Sequence, residues 1–216
     1  MKLERERLLL YAVTDRTWTE GKSLEQQIEE TLAAGSTMLQ LREKHLSDEE
    51  FLAEAERVKK IADRFQVPLI INDNVEVALK SGSDGVHVGQ SDMDADNVRA
   101  LLGPDKILGV TAKTVEQARI AEAKGADYLG VGAVFPSPTK TDAIGITMDT
   151  LRDICEAVAI PVVAIGGITR KNIAMFEGTG VAGVALVSAI FGQKDIGEAT
   201  RDMRIRAARV AGSKRC

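Results

Sequence analysis

The chain has 216 residues, 44% of them hydrophobic and 28% charged, with a formal net charge of −4. That length suits one α/β domain with a sizeable core, and 4% aromatics leave the core to aliphatic side chains. A net negative balance argues against nucleic acid or an anionic membrane surface as the main partner, so an anionic ligand must be drawn in by local positive charge.

From the N-terminus, short apolar or β-branched runs alternate with longer stretches of helical spacing. The opening MKLERERLLLYAV has too short an apolar run for a signal-peptide core, and no run approaches a membrane span. Strands are predicted at 8–15, 37–43, 68–73, 85–90, 106–111, 127–134, 161–166 and 183–188. Helices follow each, at 23–34, 48–65, 75–80, 95–101, 115–124, 148–157, 171–177 and 196–210. Runs such as LGVGAV and VVAIGG are apolar on both faces, as parallel strands covered on both sides are. Ser47 ahead of DEE, and Thr114 three residues ahead of Gln117, read as N-caps; Gly35, Gly82, Gly103 and Gly125 read as helix stops. The third and fourth units are the weakest, because their helices are short. Cys155 falls in a helical pattern and Cys216 ends the chain, so no disulfide framework is expected and a reducing, cytoplasmic compartment is the default.

Eight βα units fill residues 1–216 without a linker, which allows an open doubly wound sheet or a closed barrel; the count of eight favours a single-domain (β/α)8 TIM barrel. Such a barrel works at the C-terminal ends of its strands. Polar residues gather there: Thr14, Asp15, Gln40, Arg42, Lys44, Asn72, Asp73, Gln90, Asp92, Thr111, Lys113 and Ser188.

Four constellations carry chemistry. In Gln40-Leu41-Arg42-Glu43-Lys44, alternation along a strand points Gln40, Arg42 and Lys44 one way, into the barrel mouth. Two cations on one interior face call for an anion, and a guanidinium beside an ammonium suits a diphosphate. The bland alternative is a salt-bridged strand end with Glu43 or Asp15 as partner. Asn72-Asp73 and Asp92 end adjacent strands; two carboxylates beside an amide fit Mg²⁺, or are caps of the helices that follow. The run Phe135-Pro136-Ser137-Pro138-Thr139-Lys140-Thr141-Asp142 is a long polar loop, either closing over a phosphate or an ordinary surface loop. Gly166-Gly167 after strand seven, with Val187-Ser188 after strand eight, sits where this architecture binds phosphate, and a helix N-terminus there would add its dipole.

The alternation also sets His87 opposite Val86, Val88 and Gln90, and hence toward the helices, while His45 is expected at the surface. With two histidines in the chain, a Ser/His triad or a His-based metal site is disfavoured. The Arg-rich stretch 201–215 reads as a solvated helix face and tail.

Taken in order, YAVTDR (11–16), QLREK (40–44), INDN (71–74), DGVHVGQSD (84–92), GVTAKT (109–114), YLGVGAVFPSPTKTDA (128–143), AIGGI (164–168) and VALVSAI (184–190) resemble the thiamine-phosphate synthase family over nearly the whole chain. The resemblance implies a transferase of thiamine biosynthesis. It joins 4-amino-2-methyl-5-(diphosphooxymethyl)pyrimidine to 4-methyl-5-(2-phosphooxyethyl)thiazole, releasing pyrophosphate. It implies the pyrimidine diphosphate on Gln40, Leu41, Arg42, Glu43, Lys44, Asn72, Thr111 and Lys140. The thiazole phosphate would lie on Ser137, Pro138, Thr139, Gly167, Val187 and Ser188, and Mg²⁺ on Asp73 and Asp92. Arg42, Lys44, Lys140 and Thr111 would act in catalysis. Partners are then small-molecule substrates, with no nucleic acid or membrane and with homo-oligomerisation left open.

The mechanism so implied is dissociative, and needs positioning and charge stabilisation rather than a protein nucleophile. Two departures stand out. Thr111 and Lys113 replace the Ser and His of a common Gly-x-Ser-x-His-Thr pattern, and Ser137 replaces the first Thr of Thr-x-Thr-Lys. Rival readings are a thiazole tautomerase-like barrel, a non-catalytic phosphate-ligand sensor, and a lyase or isomerase of phosphorylated sugars. None of the three needs the basic strand, the aspartate pair and Lys140 together.

Overall fold

The computed structural model describes residues 3–19, 21–90, 95–136 and 145–212. Eight parallel strands close into a barrel in sequence order. They are β1 (Leu10–Val13), β2 (Met38–Leu41), β3 (Leu69–Asn72), β4 (Gly85–Val88), β5 (Ile107–Ala112), β6 (Tyr128–Val131), β7 (Val162–Ile165) and β8 (Gly183–Leu186). Among the described residues, seven α-helices pack outside: α1 (Leu24–Ala33), α2 (Asp48–Arg64), α3 (Val75–Lys80), α4 (Ala95–Leu102), α5 (Val115–Ala123), α6 (Met148–Ala157) and α7 (Ile196–Gly212). The (β/α)8 expectation therefore holds.

Local chemistry explains the helix ends. Ser47 accepts from the Glu50 backbone N–H while the Glu50 carboxylate accepts from the Ser47 N–H, a closed capping box at the head of α2. Thr114 accepts from the Gln117 N–H, but the Gln117 amide turns to the Lys113 N–H instead of to its cap. Gly35, Gly82, Gly103 and Gly125 all take positive φ at helix ends.

Two expectations are corrected. The strands are shorter than their apolar runs, because ladder pairing stops where the chain turns over the barrel rim; β2 ends at Leu41 and β6 at Val131. The predicted seventh helix, 171–177, is a single 3-10 turn, Ile173–Phe176. Residues 170–172 carry three polar side chains, and only Ile173 and Phe176 are buried there, which is too small an apolar face to hold several turns on the barrel. The short third and fourth helices do form.

Burial divides into two cores. Strand residues such as Leu39, Leu41, Val86 and Val88 face out and pack under the helices. Tyr11, Val13, Met38, Ile70, Ile107, Tyr128, Val163 and Ala185 fill the barrel interior. No helix among the described residues is long and apolar enough to cross a membrane.

Candidate active site

A cavity of about 160 Å³ opens at the C-terminal ends of the strands. Its walls include Gln40, Arg42, Asn72, His87, Thr111, Lys113, Gly166, Gly167, Val187 and Ser188, contributed by six different strands or the segments that follow them. Residues far apart in sequence thus converge on one rim, as the architecture requires.

The basic strand end is built by its neighbours. Thr14, fully buried after β1, accepts from the Arg42 N–H at 3.0 Å and donates its own N–H to the Gln40 carbonyl at 3.0 Å. Arg42 is thereby fixed at the mouth, with its side chain 18% exposed and its guanidinium 3.8 Å from Asp15. That ion pair is long. Arg16 is held more firmly: its Nε donates to both Glu43 oxygens, at 2.8 and 2.9 Å, and another nitrogen reaches Glu54. Partial burial opposes the charge on Arg16, but the hydrogen bonds and charges of Glu43 and Glu54 outweigh it and hold the guanidinium above its ordinary pKa. Burial pushes the Glu54 carboxyl up; Arg16 opposes this and Glu43 adds to it.

Alternation does not continue past the strand. Lys44 lies three residues beyond β2, exposed, and is not among the residues lining the cavity. Leu41 is buried in the outer core, and the Glu43 carboxylate is taken by Arg16. The expected triple of Gln40, Arg42 and Lys44 on one face is therefore a pair, Gln40 and Arg42. The salt-bridge alternative is met in part, since Arg42 does pair with Asp15.

At the end of β3, Asn72 lines the cavity and donates to the Asp73 carboxylate at 2.6 Å. Asp73 sits at φ 62, in the left-handed region; its side chain is exposed and, like Lys44, is not among the residues lining the cavity. It does not cap α3; Asn74 does, accepting from the Val77 N–H at 2.9 Å. Among the described residues no cluster of three or more His, Cys, Asp or Glu side chains gathers as a metal site. Asp92, and Ser137, Pro138, Thr139 and Lys140 of the polar loop, lie outside the described residues.

Across the mouth, Gly166 and Gly167 adopt φ 98 and 62. A side chain at Gly167 would meet the carbonyl oxygens of Phe135 and Pro136 at 2.6 and 2.4 Å, so glycine lets the chain after β6 lie against the chain after β7. After β8, Val187 and Ser188 begin a short turn in which the N–H groups of Ile190 and Phe191 return to the Val187 carbonyl. A 3-10 turn follows β7 and not an α-helix, so the expected helix dipole at the paired glycines is not supplied there.

His87 is the correction of most consequence. It faces into the barrel, not toward the helices. Both faces of a parallel barrel strand are buried, so hydrophobicity cannot tell inside from outside. Register can: His87 pairs with Asn72 of β3 and Gly109 of β5, two interior positions. Room for its ring comes from missing side chains. A Cβ on Gly109 would lie 2.5 Å from His87 Nδ1 and 2.2 Å from the Tyr128 ring, and one on Gly130 would lie 2.8 Å from His87 Cε1. Two glycines within apolar strands were the overlooked signal.

Around His87 runs an unbroken hydrogen-bond chain across the cavity floor. Gln40 Nε2 donates to the Tyr11 hydroxyl at 2.7 Å, and Tyr11 and Tyr128 share a bond of 2.9 Å. Tyr128 meets His87 Nδ1 at 3.0 Å, and His87 Nε2 meets the Thr111 hydroxyl at 3.0 Å. Burial pushes both phenols far above their ordinary pKa, so both hydroxyls keep their protons at neutral pH.

A mouth with an arginine, an amide and paired glycines above a polar floor can hold a phosphorylated heterocycle. Comparison with known proteins agrees. Residues 10–190 match the sequence model of the thiamine monophosphate synthase family. A thiamine-phosphate synthase of Ruminiclostridium cellulolyticum is 52% identical over 187 residues, 87% of this chain and 89% of that protein. One from Clostridium tetani is 46% identical over 194 residues, 90% of this chain and 93% of that protein. Among solved structures, the thiamine phosphate pyrophosphorylase of Pyrococcus furiosus superposes with a TM-score of 0.88 at 36% identity, covering 96% of this chain and 99% of that one. With the fold, the rim and the length of the match in agreement, this chain belongs to the thiamine monophosphate synthase family of enzymes.

Proposed function

We propose that this chain joins 4-amino-2-methyl-5-(diphosphooxymethyl)pyrimidine to 4-methyl-5-(2-phosphooxyethyl)thiazole, giving thiamine phosphate and pyrophosphate. The observation that carries the reading is the convergence of Gln40, Arg42, Asn72, Thr111, Gly167 and Ser188 on one cavity. In this reading the pyrimidine ring lies on the floor and its diphosphate faces Arg42 and Asn72. The thiazole phosphate lies by Gly167, Val187 and Ser188. Lys140 and the hydroxyls of Ser137 and Thr139, outside the described residues, complete the two anion sites. Lys44 is exposed, and it joins the site only if it swings toward a bound diphosphate.

The chemistry asks little of the protein as a reagent. The bond between the pyrimidinylmethyl carbon and the diphosphate oxygen breaks, and its electron pair leaves with pyrophosphate. The ring amino group disperses the positive charge left on carbon, and the thiazole nitrogen lone pair then forms the new C–N bond. No proton transfer is needed. Arg42 counters the negative charge that grows on the leaving group, while the floor holds the ring in line for attack. The closed apolar wall of Val163, Ile165 and Ala185 keeps water from trapping the cation.

Mg²⁺ fits the donors present: hard carboxylate oxygen at Asp73, beside the amide of Asn72, which itself lines the cavity. Such an ion takes few protein ligands and keeps water and phosphate oxygens, so a large protein cluster is not required. Asp73 and Asp92 would hold it, and it would neutralise charge on the leaving pyrophosphate.

The test is direct. Protein, both substrates and Mg²⁺ are mixed and the products identified by mass spectrometry. Thiamine phosphate and pyrophosphate in equal amounts are expected, with EDTA abolishing the reaction and added Mg²⁺ restoring it. Absence of both products would reject the reaction, and full activity in chelator would reject the ion.

A further inference from the structure

We propose that Tyr128 and His87 are positioning residues that turn the Thr111 hydroxyl into an outward hydrogen-bond donor, so that the cavity selects a ligand with an acceptor atom against Thr111. The reading rests on the floor of the cavity being the pyrimidine site.

The direction of the chain follows from counting donors. Gln40 Nε2 donates to Tyr11, so Tyr11 already holds an incoming hydrogen. Tyr11 touches the cavity but is only 2% exposed, whereas Thr111 is half-buried, and the Tyr11 hydroxyl meets the Tyr128 hydroxyl at 2.9 Å. If Tyr11 donates there, the Tyr128 hydrogen goes to His87 Nδ1. Taken as neutral, the imidazole carries one N–H, which then sits on Nε2 and points at the Thr111 oxygen. The Thr111 hydrogen is left to face the cavity, which Thr111 lines. Run the other way, the chain consumes the Thr111 hydrogen on His87 and leaves the Tyr11 hydroxyl hydrogen with no acceptor among these five residues. A buried hydroxyl with an unmet hydrogen costs more than a bond made, so the first direction is favoured.

His87 is also fixed in place. Its ring packs against Tyr128 with centroids 5.5 Å apart, in space that a Cβ on Gly109 or Gly130 would fill. A ring so held cannot exchange its two nitrogens without displacing its neighbours, so the tautomer is set by Tyr128. The relay would serve a Thr or a Ser hydroxyl alike: its oxygen is claimed by His87 and only its hydrogen faces the ligand.

The test has a structural arm and a kinetic arm. In protein labelled with ¹⁵N at histidine, the ring nitrogens of His87 are read in the absence of ligand, with His45→Asn separating the exposed second histidine. The expected result is a proton on Nε2 and none on Nδ1, a preference lost in Tyr128→Phe. A proton on Nδ1 in the unaltered protein overturns the proposal, whether or not the reaction assignment stands. In the kinetic arm, Tyr128→Phe raises KM for the pyrimidine diphosphate about three- to tenfold, the effect of one neutral hydrogen bond, while KM for the thiazole phosphate stays put. Thr111→Ala does the same, and the double variant is no worse than Thr111→Ala alone. His87→Gln, which keeps an N–H near the Nε2 position, retains more affinity than His87→Ala. Fully additive losses in the double variant would show that Tyr128 acts only on the packing and would sink the idea. Should Tyr128→Phe not fold, His87→Ala removes the same N–H from the Thr111 oxygen, and it is combined with Thr111→Ala and read the same way.

Discussion

The rim beside β1 and β2 and the floor between β1 and β6 hold their side chains by different means. At the rim, Arg16, Glu43, Glu54, Asp15 and Arg42 form a charged network. On the floor, five polar residues with no carboxylate, Lys or Arg among them are joined by a chain of hydrogen bonds. Within the rim the two arginines differ again. Arg16 is locked on two carboxylates whose side chains are 4% and 6% exposed, while Arg42 keeps a loose 3.8 Å contact with one. A guanidinium meant for an incoming anion needs a nearby counter-charge to remain soluble in the protein, but a tight one would compete with the ligand. The rim therefore separates a structural arginine from an available one, and the floor offers shape and hydrogen-bond polarity with no carboxylate, Lys or Arg.

Four substitutions break or sharpen that contrast. Arg42→Ala removes the available charge; turnover is expected to fall on the order of 10²-fold in steady-state assays, with the melting temperature nearly unchanged. Gly109→Ala forces a methyl group into the Tyr128 ring and His87, and should cost about 1–3 kcal/mol in urea unfolding together with a loss of activity.

Arg16→Gln leaves Glu43 and Glu54 facing each other, with Arg57, 3.5 Å from Glu54, as the remaining cation. Breaking a buried pair costs about 3–5 kcal/mol, and because the Arg16 side chain is itself 44% exposed, about 2 kcal/mol is expected. The pH dependence has a definite sign. Glu54 holds its proton more tightly folded than unfolded, so its contribution to stability is present at low pH and is lost as pH rises through the raised pKa. Without Arg16 that loss grows, so the stability gap between variant and unaltered protein should be wider at neutral pH than in acid. A gap independent of pH would show that Arg16 acts through packing. The smallest effect lies away from both regions. Gln66 takes φ 55 after α2, so Gln66→Gly should stabilise by about 1 kcal/mol in thermal melts and leave kcat alone.

Much of this was legible in the sequence, and the parts that were not share a cause. The capping box of α2 and the glycine stops are local, and Ser47 and Gly125 do what their neighbours dictate. Gln40 and Arg42 were found because a short strand keeps its alternation as far as the rim. Lys44 was misplaced because nothing in five residues says where a strand ends. His87 was misplaced because in VHVGQ both parities look alike.

Sequence alone determined the eightfold alternation, the aliphatic cores and the stretches that carry polar groups to one end of the barrel, since these depend on contacts between residues near each other in the chain. Only tertiary structure decided which face of β4 looks inward, which arginine is locked and which is free to bind, and how Gln40, Tyr11, Tyr128, His87 and Thr111 join. Those outcomes depend on register between strands and on space left by glycines on neighbouring strands, and barrel closure alone fixes both.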